Sequence, residues 1–411
     1  MCYAEARKRQ TTPARHPVGP ILRMRNRGII RVLSIMEASS VTGPAKNLLA
    51  FANQVRHWSD PAIDISVAVF RRPSRPHDGF MGALEAAQIP VRIIAEKRAG
   101  DPRIIPRLRE AVRSAVPDIV QTHGAKGHFL ARVSGLPQLA RWIAFHHGFT
   151  SVDLKDAFYN HLCRWSLLEA PHIVTVCRAF AVELGRLGIS QSRILVQHNS
   201  VEPFPPRPAA ESASLREQLG IPPSAKTLLV IGRLSSEKGH ADLVEAFALL
   251  SPAAGIRTRL VIVGSGVERG FLERRAQELG LGGRILFTGQ QENVAPYYGI
   301  ANLFVLPSHS EGSPNVLLEA MAAGLPIVTT AAGGAVELVR DEESALVVPP
   351  RSPQALSRAM GRLLADELLA ARLGSAARAA SLRHTPRAYA EALAGIYRAA
   401  LGSAIEANHS R

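Results

Sequence analysis

Short apolar runs rich in valine, isoleucine and leucine alternate with longer amphipathic stretches along almost the whole chain. In the first half these runs predict seven strands, at residues 31–36, 63–70, 91–94, 119–122, 142–146, 173–176 and 194–197. Helical patterns, for example at 45–57 and 103–115, lie between the strands. Because strands separated by helices of this length pair in parallel through right-handed crossovers, the pattern predicts an α/β domain.

A proline-rich segment at 202–208 interrupts this alternation. Proline lacks a backbone N–H and restricts the residue before it, so neither a strand nor a helix can continue there. The alternation then restarts, with strands predicted at 227–231, 259–263, 285–287, 303–306, 327–329 and 346–348. Helices are predicted between and after them, at 239–250, 270–279, 314–323 and 387–401.

This pattern predicts an α/β protein with two Rossmann-like α/β/α domains that face each other across a cleft. The predicted divisions are a disordered basic extension (1–28), a first domain (29–202), a linker (203–224), a second domain (225–385) and a last helix with its tail (386–411). We expect the last helix to cross back onto the first domain. Because open α/β sheets bind ligands outside the carboxyl ends of their strands, the cleft is the predicted active site.

Composition narrows the class of protein. Hydrophobic residues make up 46% of the 411 residues, which is enough for two cores and excludes a disordered chain. The net charge is +15, of which the first 28 residues contribute seven basic residues less one acid, or +6, so that +9 remains for the rest. A basic surface favours anionic partners, namely nucleotide diphosphates, anionic lipid head groups or nucleic acid.

The expected location is cytoplasmic. Three cysteines without a CxxC pair indicate a reducing compartment and no structural disulfides. The apolar run that starts at Ile29 is too short for a signal peptide and contains Arg31, and no uncharged apolar run reaches the roughly 18 residues of a membrane span. The helix at 103–115 carries four arginines beside an apolar stripe, which leaves two alternatives, a solvated face or peripheral contact with the anionic inner face of a membrane.

The segment 306–326 carries the most informative motif. Ser313 is predicted to cap a helix whose first position is Pro314, and the free N–H groups and positive dipole end of that helix suit a phosphate. Glu311 and Glu319 border this anion site. Since carboxylates do not bind phosphate, we interpret both as acceptors for hydroxyl groups.

The spacing of Glu311 and Glu319 within EGSPNVLLEAMAAGLPIV resembles the motif of the family 4 retaining glycosyltransferases (glycosyl transferases group 1), which have the GT-B fold. The resemblance implies that Glu311 contacts the donor sugar and that Glu319 binds the ribose hydroxyls. It also implies that the donor sugar or its phosphates are reached by the backbone of Gly312, Ser313, Asn315, Val316 and Leu317.

A second segment, VIGRLSSEKG at 230–239, places two cations after a predicted strand. Arg233 offers a bidentate fork and Lys238 a point charge, and together they suit a diphosphate. Gly232 is predicted to allow a sharp turn. The family carries a similar segment, and the resemblance implies that Arg233 and Lys238 neutralise the diphosphate as the sugar leaves.

The first domain matches the family more loosely. Gly43 follows the first strand and is expected to face the diphosphate, although the family usually has two glycines there, and Lys46 is an additional candidate for a phosphate or acceptor contact. His147 matches a strand-end histidine that lies near the reacting sugar in the family. His146 and His123, also at strand ends, are candidates for the acceptor side.

The predicted reaction moves a sugar from a nucleotide-diphosphate sugar to a hydroxyl of a lipid-linked, polysaccharide or small-molecule acceptor, with retention at the anomeric carbon. No metal-ligand spacing occurs, so we expect no metal and no cofactor beyond the nucleotide sugar. Two alternatives stay open, a GT-B nucleotide-sugar epimerase and a basic nucleic-acid or membrane-binding protein. Nucleic acid is not the expected partner because +6 of the charge lies in the terminal extension, and TGPAKN at 42–47 in place of GxGxxG disfavours a dehydrogenase.

Overall fold

The computed structural model describes residues 28–38, 40–41, 43–72, 79–98, 100–149, 154–204, 209–250 and 257–409. Apart from Gly28, the predicted basic extension lies outside the described residues, and so do residues 205–208 of the predicted linker.

The first sheet is fully parallel, with strand order β3-β2-β1-β4-β5-β6-β7. Its strands are β1 (Ile29–Met36), β2 (Ala62–Arg71), β3 (Val91–Ala95), β4 (Ile119–His123), β5 (Arg141–His146), β6 (His172–Thr175) and β7 (Ile194–Val196). Its helices are α1 (Gly43–Val55), α2 (Gly79–Ala86), α3 (Ile104–Ala115), α4 (Gly124–Val133), α5 (Leu154–Leu167) and α6 (Arg178–Arg186). All seven predicted strands are confirmed, with small shifts at their ends.

The second sheet is also parallel, with order β10-β9-β8-β11-β12-β13. Its strands are β8 (Lys226–Ile231), β9 (Thr258–Val263), β10 (Ile285–Gly289), β11 (Leu303–Leu306), β12 (Ile327–Thr330) and β13 (Leu346–Val348). The helices of this half are α7 (Ala209–Gln218), α8 (His240–Leu249), α9 (Arg269–Glu278), α10 (Ala295–Ile300), α11 (Asn315–Ala322), α12 (Ala335–Leu338), α13 (Pro353–Ala365) and α14 (Glu367–Ser381). The six predicted strands are confirmed, whereas α7 forms inside the range predicted as linker.

Strand β1 shows why apolar runs of this kind form buried strands. Leu33 and Ile35 pack into one layer of the core, and Val32 and Met36 pack into the other. Side chains alternate between the two faces of a strand, and helices cover both faces of a parallel sheet, so apolar residues are favoured on both faces of the strand.

The last helix, α15 (Pro386–His409), follows the second domain in sequence but packs on the first, as predicted. Tyr389 and Tyr397 are buried in the core of the first domain and make edge contacts with the ring of Phe51, with centroids 6.3 and 5.8 Å away. Burial of each large apolar side chain contributes about 1.5–3 kcal/mol. The helix is therefore part of the first domain's core.

The structure shows which side of helix α3 the protein covers. Ile104, Leu108 and Val112 are buried in the core, and Arg103, Arg107 and Arg113 are exposed. The apolar side of this helix is thus already covered by the protein. In the described part of the chain, no helix is both long and apolar enough to cross a membrane.

Candidate active site

The cleft runs between the two sheets, and side chains from both domains meet in it. The Nζ atom of Lys46, on α1, lies 2.9 Å from Oε1 of Glu319, on α11. Asn199, which follows β7, donates from Nδ2 to the Ser313 carbonyl and to Oδ1 of Asn315, both at 2.7 Å. Residues from the first domain and donor-site residues predicted in the second domain therefore contact one another directly across the cleft.

Glu311 lies on the second domain's side of the cleft. Its side chain is 5% exposed, and its Oε1 accepts hydrogen bonds from Nζ of Lys238 at 2.8 Å and from Oγ of Ser308 at 2.6 Å. Both partners bind the same oxygen. Among the described residues Oε2 has no hydrogen-bond partner, so this atom can accept a hydroxyl from a ligand.

Unlike Glu311, Glu319 has a hydrogen-bond partner on each of its carboxylate oxygens. Its Oε1 pairs with Lys46, and its Oε2 accepts from the Tyr298 hydroxyl at 2.8 Å. Burial and the neighbouring Glu319 carboxylate raise the pKa of Tyr298 well above its usual range, which keeps this hydroxyl a donor. Lys46 is 48% exposed and is the partner that a ligand could displace.

Arg233 does not point freely into the cleft. Its Nη2 lies 2.6 Å from Oε1 of Glu237, and its Nε donates to Oγ of Ser235 at 3.2 Å. Partial burial opposes ionisation of Glu237, but hydrogen bonds from Ser235 and Arg233 outweigh it and lower the pKa of that carboxyl. The two predicted diphosphate cations, Arg233 and Lys238, are thus each held by a carboxylate.

The helix start after β11 differs from the prediction. Ser313 is not the cap, because α11 begins at Asn315 and Pro314 takes the capping position in an extended conformation. The Ser313 Oγ instead accepts from the backbone N–H of Asn199 at 2.9 Å. The amides of Asn315 and Val316 belong to the first helical turn and have no partner within the helix, whereas the Leu317 amide donates to the Pro314 carbonyl at 3.1 Å. Leu317 is therefore less available to a phosphate than predicted.

A close approach explains one of the predicted glycines. A Cβ atom at Gly312 would lie 2.9 Å from side-chain atoms of both Phe180 and Val176, in the first domain. At Gly43 a Cβ would make only an ordinary van der Waals contact, 3.5 Å from Nδ2 of Asn315. Gly232 has no such crowding and no positive φ, and the chain bends at this residue directly after β8. Positive φ occurs instead at Gly264, whose Cβ would lie 1.9 Å from the Gly232 carbonyl oxygen.

Phe180, on α6, contacts residues of both domains at the cleft. Its ring lies against Gly148, where a Cβ would come within 2.5 Å of Cζ, and against Gly312. Gly148 follows His147, and Gly312 follows Glu311. The glycines next to the predicted catalytic histidine and next to the predicted sugar-binding acid therefore pack against the same aromatic ring, which the sequence did not indicate.

The histidines of the first domain divide into two groups. His147 and His123 line the cleft with Leu48, Phe51 and Leu393, and their rings lie nearly parallel with centroids 5.5 Å apart. Burial lowers the pKa of His147 to about 4 and that of His123 well below its usual range, so both imidazoles are neutral at pH 7.

His146 does not line this part of the cleft. It is buried beside Phe149 and Phe180, and among the described residues its Nε2 has no hydrogen-bond partner. Burial lowers its pKa to about 3.

Glu337, on α12, is an interdomain contact that the sequence analysis missed. Its carboxylate accepts hydrogen bonds from the backbone N–H of Arg178, at 2.8 and 3.0 Å, and of Ala179 at 3.4 Å, at the start of α6. A carboxylate at a helix N-terminus is favoured by the helix dipole. The contact lies beside the cleft, because a Cβ at the nearby Gly334 would overlap the Gly312 carbonyl.

Comparison with known proteins agrees with this arrangement. The chain matches the family model described as Glycosyl transferases group 1 over residues 211–380, and the model described as Glycosyltransferase Family 4 over residues 51–203. A crystal structure of Anabaena HepE in complex with UDP-glucose shares the fold, with a TM-score of 0.78 and 21% identity over 90% of this chain and 100% of that chain.

Two curated relatives illustrate the extent of similarity. The chain is 36% identical over 224 residues to a D-inositol 3-phosphate glycosyltransferase of Acidothermus cellulolyticus, covering 52% of this chain and 50% of that protein. It is 27% identical over 338 residues to a protein of the same name from Corynebacterium urealyticum, covering 74% of this chain and 79% of that protein. For several curated relatives, including the Acidothermus protein, the chain spans only about half of the relative's length. Two parallel α/β sheets that face a common cleft, together with family models that match both halves, show that the chain belongs to the family 4 glycosyltransferases with the GT-B fold.

Proposed function

We propose that the protein is a retaining glycosyltransferase that moves a sugar from a nucleotide-diphosphate sugar to a hydroxyl of a lipid-linked, polysaccharide or small-molecule acceptor. One observation carries the proposal. Glu311 is paired with Lys238 in the second domain, and the glycines that follow Glu311 and the first domain's His147 both pack against the ring of Phe180. A structural neighbour supports the choice of donor, since Anabaena HepE has been crystallised in complex with UDP and with UDP-glucose.

The donor would lie along the second domain. Its sugar hydroxyls would bind Oε2 of Glu311, and its ribose would bind Glu319 after displacement of Lys46. Its diphosphate would draw Arg233 and Lys238 away from their carboxylate partners towards the leaving group. These cations and the first amides of α11 would stabilise the charge that grows on the phosphate, which is usually the largest contribution to such catalysis. The positive charge comes from the protein, so we propose that no metal is needed.

Retention would follow from attack on the same face that the diphosphate leaves. We do not assign Glu311 as the nucleophile, because Lys238 and Ser308 bind its Oε1 and its Oε2 is the atom proposed to accept the sugar hydroxyls. The departing phosphate would instead accept the proton of the acceptor hydroxyl. Closure of the two domains would exclude water from the reacting carbon.

The test is a donor screen. Purified protein is incubated with labelled UDP-, GDP- and ADP-sugars in buffer containing EDTA, and release of free nucleotide is measured. We expect slow hydrolysis of one donor, faster turnover with a suitable acceptor, and a product whose anomeric configuration by NMR matches the donor. Isomerisation of the donor without an acceptor would favour the epimerase alternative, and no turnover of any donor would overturn the proposal.

We also propose that any contact with an anionic membrane at its inner face is electrostatic. The exposed arginines of α3 are available, while the apolar residues of that helix are buried. Cosedimentation with anionic vesicles should therefore decrease steeply as salt is raised. Binding that persists in high salt would contradict this proposal.

A further inference from the structure

A chain of hydrogen bonds leads from the last helix to His147. The Tyr397 hydroxyl, on α15, donates to Oε1 of Gln121, on β4. Nε2 of Gln121 lies 3.3 Å from Nε2 of His123, and Nδ1 of His123 lies 3.1 Å from Nε2 of His147. All four groups therefore form one connected row from the core of the first domain to the cleft.

The sheet explains how these residues come together. Gln121 and His123 are two residues apart on β4, so their side chains lie on the same face, which α15 covers. Thr122 points to the opposite face, where it bonds with His128 and Trp142. His123 pairs in register with Phe145 of β5 and stacks on its ring, with centroids 4.7 Å apart, and His147 follows two residues later.

The chemistry of the members fixes the direction of the row. The amide oxygen of Gln121 can only accept, so the hydroxyl of Tyr397 donates to it. The amide nitrogen of Gln121 can only donate, so Nε2 of His123 accepts. A neutral imidazole carries one N–H, and that of His123 is therefore on Nδ1, from which it donates to Nε2 of His147.

We propose that Tyr397, Gln121 and His123 are positioning residues that hold His147 in the Nδ1–H tautomer, so that it acts on the donor or acceptor sugar as a hydrogen-bond donor and not as a base. Among the described residues, Nδ1 of His147 has no hydrogen-bond partner, and Nε2 is already occupied. This step rests on the proposed function, because it assigns His147 a role towards the sugar.

Burial favours the neutral state of both imidazoles. His123 is 8% exposed and Gln121 is 1% exposed, and burial lowers the pKa of both His123 and His147. A buried hydrogen-bond row of this kind is stable only when every member is satisfied. The same row leaves His123 without a free nitrogen for an acceptor, so its predicted contact with an acceptor would involve ring carbon atoms.

The test measures tautomers directly. The full chain is labelled with ¹⁵N-histidine, and long-range ¹H–¹⁵N correlations distinguish Nδ1–H from Nε2–H rings; a His147→Gln variant identifies the His147 signals. We expect Nδ1–H for both His147 and His123 in the unsubstituted protein. An Nε2–H tautomer at His147 would overturn the proposal. The spectrum requires no turnover, so a failure of the proposed function would leave this result intact and distinguishable.

Two variants test the positioning role. Gln121→Glu replaces the donor that faces His123 with an acceptor, which should reverse the row, move His147 to Nε2–H and lower kcat at least about tenfold. Tyr397→Phe frees the Gln121 amide to rotate, and we expect mixed tautomers and a fall in kcat of about fivefold, with little change in the donor KM. Tyr389→Phe removes a hydroxyl from the same helix and should leave the tautomers unchanged. If Gln121→Glu does not fold, Tyr397→Phe decides; unchanged tautomers in that variant would contradict the proposal.

Discussion

On the second domain's side of the cleft, cations and carboxylates face each other in pairs, whereas the histidines on the first domain's side, His123 and His147, are neutral imidazoles in a pocket with apolar side chains. The difference suits a reaction in which negative charge grows on a leaving phosphate while positive charge grows on the sugar. Under the proposed function, the paired cations of the second domain's charged wall would stabilise the charge on the phosphate. A neutral histidine can hydrogen-bond to the sugar without adding positive charge beside a carbon that becomes cationic.

Removal of a cation from the charged wall is the strongest test of this comparison. We expect Lys238→Ala to lower kcat by about 10²–10³-fold, because the leaving diphosphate loses a preorganised positive charge. Steady-state nucleotide release measures the effect. The matched control is Lys226→Ala, which removes a lysine from an exposed ion pair with Glu367 in the same domain and should leave kcat unchanged. Near-normal transfer by both Lys238→Ala and Glu311→Ala would contradict the division of roles.

Contact between the two walls is tested by Glu337→Gln. The variant keeps the shape of the side chain but loses the charge that binds the amides of Arg178 and Ala179. We expect the two domains to be held together less firmly. kcat/KM should fall about tenfold, and the radius of gyration measured by X-ray scattering should increase. Glu343→Gln, at an exposed glutamate of the same domain, should change neither quantity. An unchanged kcat/KM in Glu337→Gln would show that the contact is not part of closure.

The smallest effect is expected from Lys46→Ala. Lys46 forms an ion pair with Glu319, the acid predicted to bind the ribose. An exposed ion pair of this kind contributes about 0–1 kcal/mol to stability. If the donor must displace Lys46, the variant should bind the nucleoside diphosphate up to about fivefold more tightly by calorimetry. Weaker binding would show instead that Lys46 contacts the phosphates, as the sequence analysis suggested.

The sequence predicted the charged wall better than the neutral one for a physical reason. Glu311, Glu319, Arg233 and Lys238 lie in short segments at strand ends, where spacing along the chain fixes position in the cleft. Capping was less predictable, because Ser313 bonds with Asn199, 114 residues away, in preference to its own helix.

The neutral wall depends on contacts that no local pattern contains. Tyr397 is 276 residues from Gln121, and only the crossing of α15 onto the first domain brings them together. Phe180 and Glu337 similarly act across the cleft, on Gly312 and on the start of α6. The strands were predictable from hydrophobic periodicity, whereas these residues required the packing of elements that are distant in sequence.

The position of α15 also has a consequence for biosynthesis. Domains generally fold as units in the order in which they are synthesised. Here the first domain lacks Tyr389, Leu393 and Tyr397 from its core until the second domain has been translated. The second domain has all six strands of its sheet before that point. The domain made first is therefore the domain completed last, and the neutral wall of the cleft forms only when the last helix has docked.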